Sequence, residues 1–486
     1  MDAQTLLSKA MSGNHRTKIR ARDLYDCILS PFTLWCKYFA PQEEQDGRSE
    51  YQELLMKVGR EHENNVVSDM FAKAEEVSYK TPEEGFGKVI EAMIEGRDAI
   101  HNAPLIWNRE GLIGVVDVLE KVKGKSLLGN YHYVIKEIKL AKNIQEHHQI
   151  QACFYNYILG KIQGVFPTTY CIINRDEEVL EYRYNEEWLK GIMDETREIL
   201  TEKTIPTPTF GNGVWPWEDY TDKKAIEQNN VSLVSGIGEV TKNALMTNGY
   251  ETVDDLVGAN PEDLCQIDRI GESTALKIIR CAKALKSGKP IRIEKYIFPK
   301  VDIEIFLDLE GTGQVTGENI VPIDYLIGLL IRNKEKEIFK PFVANDINSE
   351  GEMFLEFLKY VRSIKKRFMM YHWHHYEHTH IKNMCLKYAT EKDWKFLENH
   401  MIDLFKIATK SWAFPTYNNS LKSIAPFMGF KWRHKDVNAM ESMAFYFEYT
   451  QDPKKNKEKL QKVVDYNEDD VRATMVVKDW LDKHSE

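Results

Sequence analysis

Residues 204–222, TIPTPTFGNGVWPWEDYTD, carry three prolines and two glycines in nineteen positions. Each proline removes a backbone donor and fixes φ, so the stretch is expected to sustain neither a helix nor a central strand. The chain must therefore fold as separate pieces on either side of it. A second break, SGKPIRIEKYIFP at 287–299, divides the remainder. At roughly 150 residues per domain, 486 residues fit about three domains. The expected plan is a mixed α/β domain at 1–205, a linker at 206–228, an all-α region at 229–287, a linker at 288–299 and a second α/β domain at 300–486.

Composition narrows the partners rather than the fold. Hydrophobic residues at 43% and charged residues at 29% are globular values and exclude collagen-like or wholly disordered chains. The formal charge of −10 leaves no chain-wide basic field, so contact with a polyanion has to come from local patches or backbone amides. Seven cysteines without a CxxC pair point to a reduced, cytoplasmic setting. The apolar run at 325–331 is far too short to span a bilayer, so no membrane association is expected.

In the first domain, β-branched runs at 114–122, 132–140 and 168–174 read as strands. Asp117 lies inside the first, and Glu137 and Lys139 close the second on one face, with Ile138 on the other. Two carboxylates hold a hard divalent cation through oxygen, and a neighbouring lysine can orient the water that attacks a phosphodiester. Gln151 and Tyr155 share one face of the helix that follows. Upstream, Gly59-Arg60-Glu61-His62-Glu63 offers an imidazole and a further carboxylate.

Taken in order, GREHE, GVVD, IKEIK and QACFY resemble the RecB-like nucleases of the PD-(D/E)XK superfamily, which have a restriction-endonuclease-like fold. The resemblance implies His62, Asp117 and Glu137 as metal ligands, Lys139 as the catalytic lysine, and Gln151 and Tyr155 as supports for DNA or the site wall. Some relatives carry a four-cysteine iron–sulfur clasp. Here Cys27 falls in the early region, but the late segment GNGVWPWEDY has no cysteine, so no cluster is expected and Trp215 and Trp217 are expected to pack that corner.

The middle region repeats itself: LVSGIGEVTKNAL is echoed by CQIDRIGESTALKII. Gly236-Ile237-Gly238 with Thr241, and Ile270-Gly271 with Thr274-Ala275, resemble the helix-hairpin-helix DNA-binding family. In that family a glycine turn presents amides at a helix N-terminus to a phosphate, without reading sequence. Lys277, Arg280, Lys283 and Lys286, three apart, are expected to form a cationic stripe along one side of the last helix.

In the third domain Asp308 and Glu310 alternate onto one side of the strand in FLDLEGTG, and Tyr466 and Asp470 share a helical face near the end of the chain. Acids gathered in this way repel unless divalent ions neutralise them. D-x-E followed by Y-x-x-x-D resembles the DnaQ-like DEDD exonucleases of the RNase H-like superfamily. The central motif of that family, HNAxFD, aligns with His372-Trp373-His374-His375-Tyr376-Glu377, where Glu377 stands for Asp and Trp373 for Asn. Asp403 is a substitute for the fourth acid. Residues 374–378 also satisfy the H-x-x-E-H pattern of inverted zinc peptidases. Ser349 with Glu352 reads as a capping box before a helix. Ser420, Leu421, Lys422 and Trp432 read as ordinary packing and surface positions.

The whole order of motifs resembles RecB-like proteins that join a nuclease core, a helix-hairpin-helix pair and an RNase H-like module. It implies a Mg²⁺- or Mn²⁺-dependent deoxyribonuclease with up to two active centres, acting on DNA ends or single strands in repair, recombination or defence. The alternative is a non-catalytic DNA-binding scaffold that partners a helicase.

Overall fold

A computed structural model describes residues 2–313, 322–434 and 437–485. The chain forms two compact units, one of Met1–Arg48 with Leu55–Lys224 and the other of Ser49–Leu54 with Ala225–Glu486.

The first unit begins with a helix at Ala3–Met11, followed by β1 (Ile19–Arg20), α1 (Ala21–Leu29), α2 (Pro31–Phe39) and, from Leu55 onward, α3 (Glu50–Met70), the helix that carries the GREHE segment. After β2 (Glu75–Glu76) come α4 (Pro82–Glu95), β3 (Ala99–Trp107), β4 (Leu112–Ser126), β5 (Gly129–Ile138), α5 (Glu146–Gln163), β6 (Thr169–Ile173), β7 (Val179–Arg183) and α6 (Glu186–Leu200). The sheet order is β2-β3-β4-β5-β6-β7, with β1 added to β4. β3, β4 and β5 are antiparallel, and α5 carries the chain across to β6, which runs parallel to β5. α5 buries thirteen of its eighteen residues and is the central helix of this core.

The three expected strands are all present, but β5 ends at Ile138, two residues short of the expected end. Lys139 lies just beyond, where its amide still donates to Ile173 O at 2.8 Å. The break at 204–222 contains one helical segment the proline content did not forecast, since Glu218–Glu227 forms a helix directly after the last proline. Ahead of it Trp217 is buried against Phe32, Cys36, Ala40 and Tyr220, and Trp215 Nε1 donates to Gly47 O at 3.2 Å.

The second unit opens with short helices, α7 (Glu239–Thr247), α8 (Val253–Gly258), α9 (Pro261–Leu264) and α10 (Glu272–Ser287). β8 (Ile303–Gly311), β9 (Asp324–Arg332) and β10 (Glu337–Val343) follow as an antiparallel meander. Then come α11 (Glu350–Ser363), β11 (Phe368–His372), α12 (Tyr376–Tyr388), β12 (Met401–Asp403), α13 (Leu404–Ser411), α14 (Leu421–Phe427), α15 (Ala439–Gln451) and α16 (Lys457–Lys483). The sheet order is β10-β9-β8-β11-β12, and β11 and β12 run parallel to β8. β9 is buried along all but its last residue, as expected of a strand covered on both faces. The 27-residue α16 packs on β8 and β9. The strand Ile291–Arg292 pairs with Trp412–Ala413 and ties the segment after α10 to the segment after α13.

The capping box expected at Ser349 and Glu352 does not form. Ser349 precedes α11, but at φ −92°, ψ 6° it lacks the extended backbone that aims a capping hydroxyl, and its side chain makes no capping bond.

Candidate active sites and nucleic-acid interface

In the second unit the acids of the two distant motifs meet. Asp308 and Glu310 sit two apart on β8, and Tyr466 and Asp470 sit one turn apart on α16, which crosses that strand. One carboxylate oxygen from each of Asp308, Glu310 and Asp470 lies within 4.8 Å of the other two. Among the described residues this is the one cluster of three such donors. Burial pushes all three carboxyls up; the Glu377 charge adds to the rise of Asp308, to about 8, and the Asp308 charge adds to those of Glu310 and Asp470, which stand well above the usual carboxylate range.

Glu377, near the start of α12, stands outside the three-acid cluster but borders the same cavity of about 440 Å³, together with Tyr376 and Tyr466. Burial raises its carboxyl well above normal, with the Asp403 and Asp470 charges adding to the effect. Its Oε2 is buried without a hydrogen-bond partner, 3.5 Å from His372 Nδ1. The Tyr466 hydroxyl is pushed up by burial and by the Asp470, Glu310 and Asp308 carboxylates.

The chain motif also concealed a supporting residue. Asn467, fully buried, donates from Nδ2 to Asp308 Oδ2 at 2.6 Å. It has room because Gly328 faces Asp308 across the β8–β9 ladder, and a Cβ there would come 1.6 Å from Asn467 Oδ1. Asp469 is turned away as its helical phase requires, and it accepts bonds from Arg433 N and Nε and from His434 N. Asp403 caps α13 by accepting from Lys406 N and also accepts from His374 N, which tethers the two segments.

The zinc-peptidase pattern does not assemble. His374 sits before α12 at φ +78° with its ring against Phe405, whereas His378 lies on the helix beside Trp394 and Glu398. The two imidazoles belong to different surroundings, and neither enters a three-donor cluster.

In the first unit the β4–β5 register pairs Val118 with Lys136, which places Asp117 and Glu137 on the next rung. Asp117 Oδ2 accepts from Ile138 N at 2.6 Å, and Lys139 Nζ donates to Glu137 Oε1 at 2.8 Å. Glu137 Oε2 is buried with no partner. Burial raises the pKa of both acids, and for Asp117 the Glu137 charge adds to the rise. Lys139 is itself raised, because Glu137 and Asp117 outweigh the cost of its burial.

Tyr155 packs so closely on β4 that a Cβ at Gly114 would come 2.3 Å from its ring, and Gln151, one turn earlier on α5, is also buried. His62 Nε2 is buried without a partner, but His62, Asp117 and Glu137 do not form a three-donor cluster. Glu63, the next residue on α3, is the member of GREHE whose charge raises both Asp117 and Glu137, and its Oε1 lies 3.2 Å from His101 Nε2. The sequence offered a carboxylate there without distinguishing it from Glu61.

In the helical region Gly238 and Gly271 stand at the N-termini of α7 and α10, in both cases without a side-chain cap and with open space where a Cβ would be. Gly236 turns the chain at φ +77°, a conformation glycine adopts freely, and Arg269 takes the corresponding left-handed place in the second copy at φ +65°. The cationic stripe on α10 is not one-sided. At 100° per residue, Lys277 and Lys286 differ by half a turn, and Lys286 Nζ instead bonds Asp254 Oδ1 at 2.8 Å. Lys277, Arg280 and Lys283 fan progressively around the helix.

Residues 305–482 are an RNase_H-superfamily domain. Residues 230–284 match the SAM-like helix-hairpin-helix tandem. The crystal structure of SSO0001 is similar over 42% of this chain and 85% of its own, at 16% identity and a TM-score of 0.19, a superposition too loose to bear on the fold. An RNase H-like domain joined to a helix-hairpin-helix region indicates a nuclease-type protein that meets DNA. Among the described residues no helix is long and apolar enough to cross a membrane.

Proposed function

We propose that this protein is a metal-dependent deoxyribonuclease whose RNase H-like centre trims DNA ends or single strands, and that its first unit is a RecB-like, restriction-endonuclease-like nuclease with a second centre. The observation that carries the reading is the meeting of Asp308, half-buried, Glu310, buried, and Asp470 from two motifs about 160 residues apart in one pocket. Carboxylates gathered this closely repel one another unless a cation offsets their charge.

The donor set is all carboxylate oxygen, which suits a hard divalent ion such as Mg²⁺ or Mn²⁺. Asp308, Glu310 and Asp470, with Glu377 at the cavity wall, would hold it there. When bound it would stabilise the negative charge that builds on a phosphodiester during hydrolysis. Asn467 fixes the Asp308 carboxylate, and Tyr466 presents a neutral hydroxyl able to orient an attacking water. In the first unit the order α4-β3-β4-β5-α5-β6, the paired Asp117 and Glu137, and the unpartnered Glu137 Oε2 support the second centre. Lys139 would steer the attacking water, and Gln151 and Tyr155 wall the site.

The test is digestion of strands labelled at either end, single- and double-stranded, with Mg²⁺ or Mn²⁺, by wild type, Asp308→Ala, Asp117→Ala and the double variant. Each single variant should lose one cleavage pattern and the double variant both. Equal digestion by the double variant and wild type would overturn the assignment.

A further inference from the structure

The hairpins and the acid pocket of the second unit are joined by residues that neither motif includes. A Cβ on Gly236, in the first hairpin turn, would stand 3.4 Å from Lys277 Cε, 3.6 Å from Lys277 Nζ and 3.6 Å from Asn419 Nδ2. The phosphate-presenting turn, a lysine of the second hairpin and an amide from the loop before α14 therefore converge on one spot. Three residues beyond Asn419, Lys422 places Nζ 5.0 Å from the centre of the Tyr466 ring. Its charge reaches the acids, favouring the ionised forms of Glu310 and Asp470.

Among the described residues neither lysine has a carboxylate oxygen within 4.0 Å, although the chain carries an acidic excess and Lys286 on the same helix is paired. Gly236 and Lys422 are exposed, and Lys277 and Asn419 are half-exposed. Two cations and an amide with access to solvent thus mark a line from the hairpin turn to the rim of the acid pocket.

We infer that one DNA strand, gripped by its phosphates at the Gly236 turn, runs past Lys277, Asn419 and Lys422 into the Asp308–Glu310–Asp470 pocket, so that the hairpins feed the centre of their own chain. Lys422 is a positioning residue for the phosphate nearest the pocket. The track rests on the nucleic-acid reading of that pocket and adds to it a direction of entry and the contacts along the way. Phosphate contacts of this kind are independent of sequence and depend on salt.

Length dependence tests the track. Full-length protein in Ca²⁺ is titrated with labelled oligothymidylates of about 4 and about 16 nucleotides, which bracket common single-strand site sizes, over a range of salt. Lys277→Ala should weaken binding of the longer strand about tenfold and lower its salt slope by about 0.7, the value for one lost single-strand phosphate contact. The shorter strand, held at the pocket, should be unaffected, whereas Lys422→Ala should weaken both. Lys277→Arg, which keeps the charge, should restore the slope and excludes misfolding as the cause. Equal loss for both lengths with Lys277→Ala, no loss for either, or no binding by wild type would overturn the track. Failure of the nuclease reading looks different, as a longer strand that stays uncut in Mn²⁺ while the length-dependent loss persists.

Discussion

The two acidic centres neutralise their charge in different ways. In the first unit Lys139 donates to Glu137 at 2.8 Å and the Ile138 amide donates to Asp117 at 2.6 Å, so an internal cation and a backbone dipole offset part of the repulsion. In the second unit three carboxylates gather with Asn467 as the neighbour that donates to one of them, and the Lys422 ammonium stands off above the Tyr466 ring. The first centre carries a positive charge of its own, and the second, on the function proposed for it, would take one from solution. Both share a construction device in which a glycine on a strand vacates the space that a helix side chain fills, Gly114 for Tyr155 and Gly328 for Asn467.

The sharpest way to break this comparison is to remove one charged residue from each centre. Asp308→Ala should lower cleavage by the second centre about 10³-fold, several kcal/mol of lost charge stabilisation. Lys139→Ala should lower cleavage by the first by roughly 10²–10⁴-fold, in the range of a lost proton-transfer group, while DNA binding survives. Labelled-strand digestion with each variant measures both. If Lys139→Ala leaves cleavage intact in an Asp308→Ala background, the internal lysine serves packing and the contrast disappears.

How much of this was legible in the chain follows from the range of each interaction. The strands around Asp117 and Asp308 were visible because β-branched runs and alternation are local signals, and Tyr466 and Asp470 were visible because a helix repeats every 3.6 residues. Asn467 was not, since its partner lies 159 residues away and only the fold brings Gly328 opposite Asp308. The stripe expected on α10 is not one-sided because spacing by three drifts around a helix. Lys422 passed for an ordinary surface residue because nothing local to it reports Tyr466.

The shared glycine device gives the next largest effect. Gly328→Ala would set a methyl group against Asn467 and should destabilise the protein by about 1–3 kcal/mol, the usual cost of overpacking. Because Asn467 fixes Asp308, cleavage by the second centre should fall as well. Gly114→Ala should have a similar effect on stability through Tyr155, with cleavage lost at the first centre. Urea unfolding and digestion of the two variants side by side would show whether each glycine serves its own centre. Loss of stability without loss of cleavage would reduce the device to packing.

A smaller effect reports the proton held by the second centre. The Asp308 carboxyl sits at about 8 in the folded protein against an ordinary 3.8, so the folded state binds its proton more tightly than the unfolded state does. That contribution to stability is complete below the unfolded pKa and is lost as pH rises through the folded one. Without divalent ions Tm should therefore fall as pH rises between about pH 4 and pH 8. Mg²⁺, which favours the ionised acids, should flatten the fall, and Asp308→Asn should reduce both the fall and the response to Mg²⁺. Thermal melts across that range with EDTA or Mg²⁺ decide the point, and a slope unchanged in Asp308→Asn would place the coupled protons elsewhere.

The least effect is expected on the far side of α10. Lys286 is half a turn from Lys277 and already bonded to Asp254, an exposed pair of the kind that contributes roughly 0–1 kcal/mol. Lys286→Ala should leave DNA affinity and its salt slope unchanged within error, because a cation facing away from the Gly236 turn releases no counterion from a strand held there. Lys277→Ala, by contrast, should lower the slope. Equal slopes for the two variants would mean that α10 meets DNA with more than one side, and that the hairpins and the acid pocket recognise DNA independently of each other.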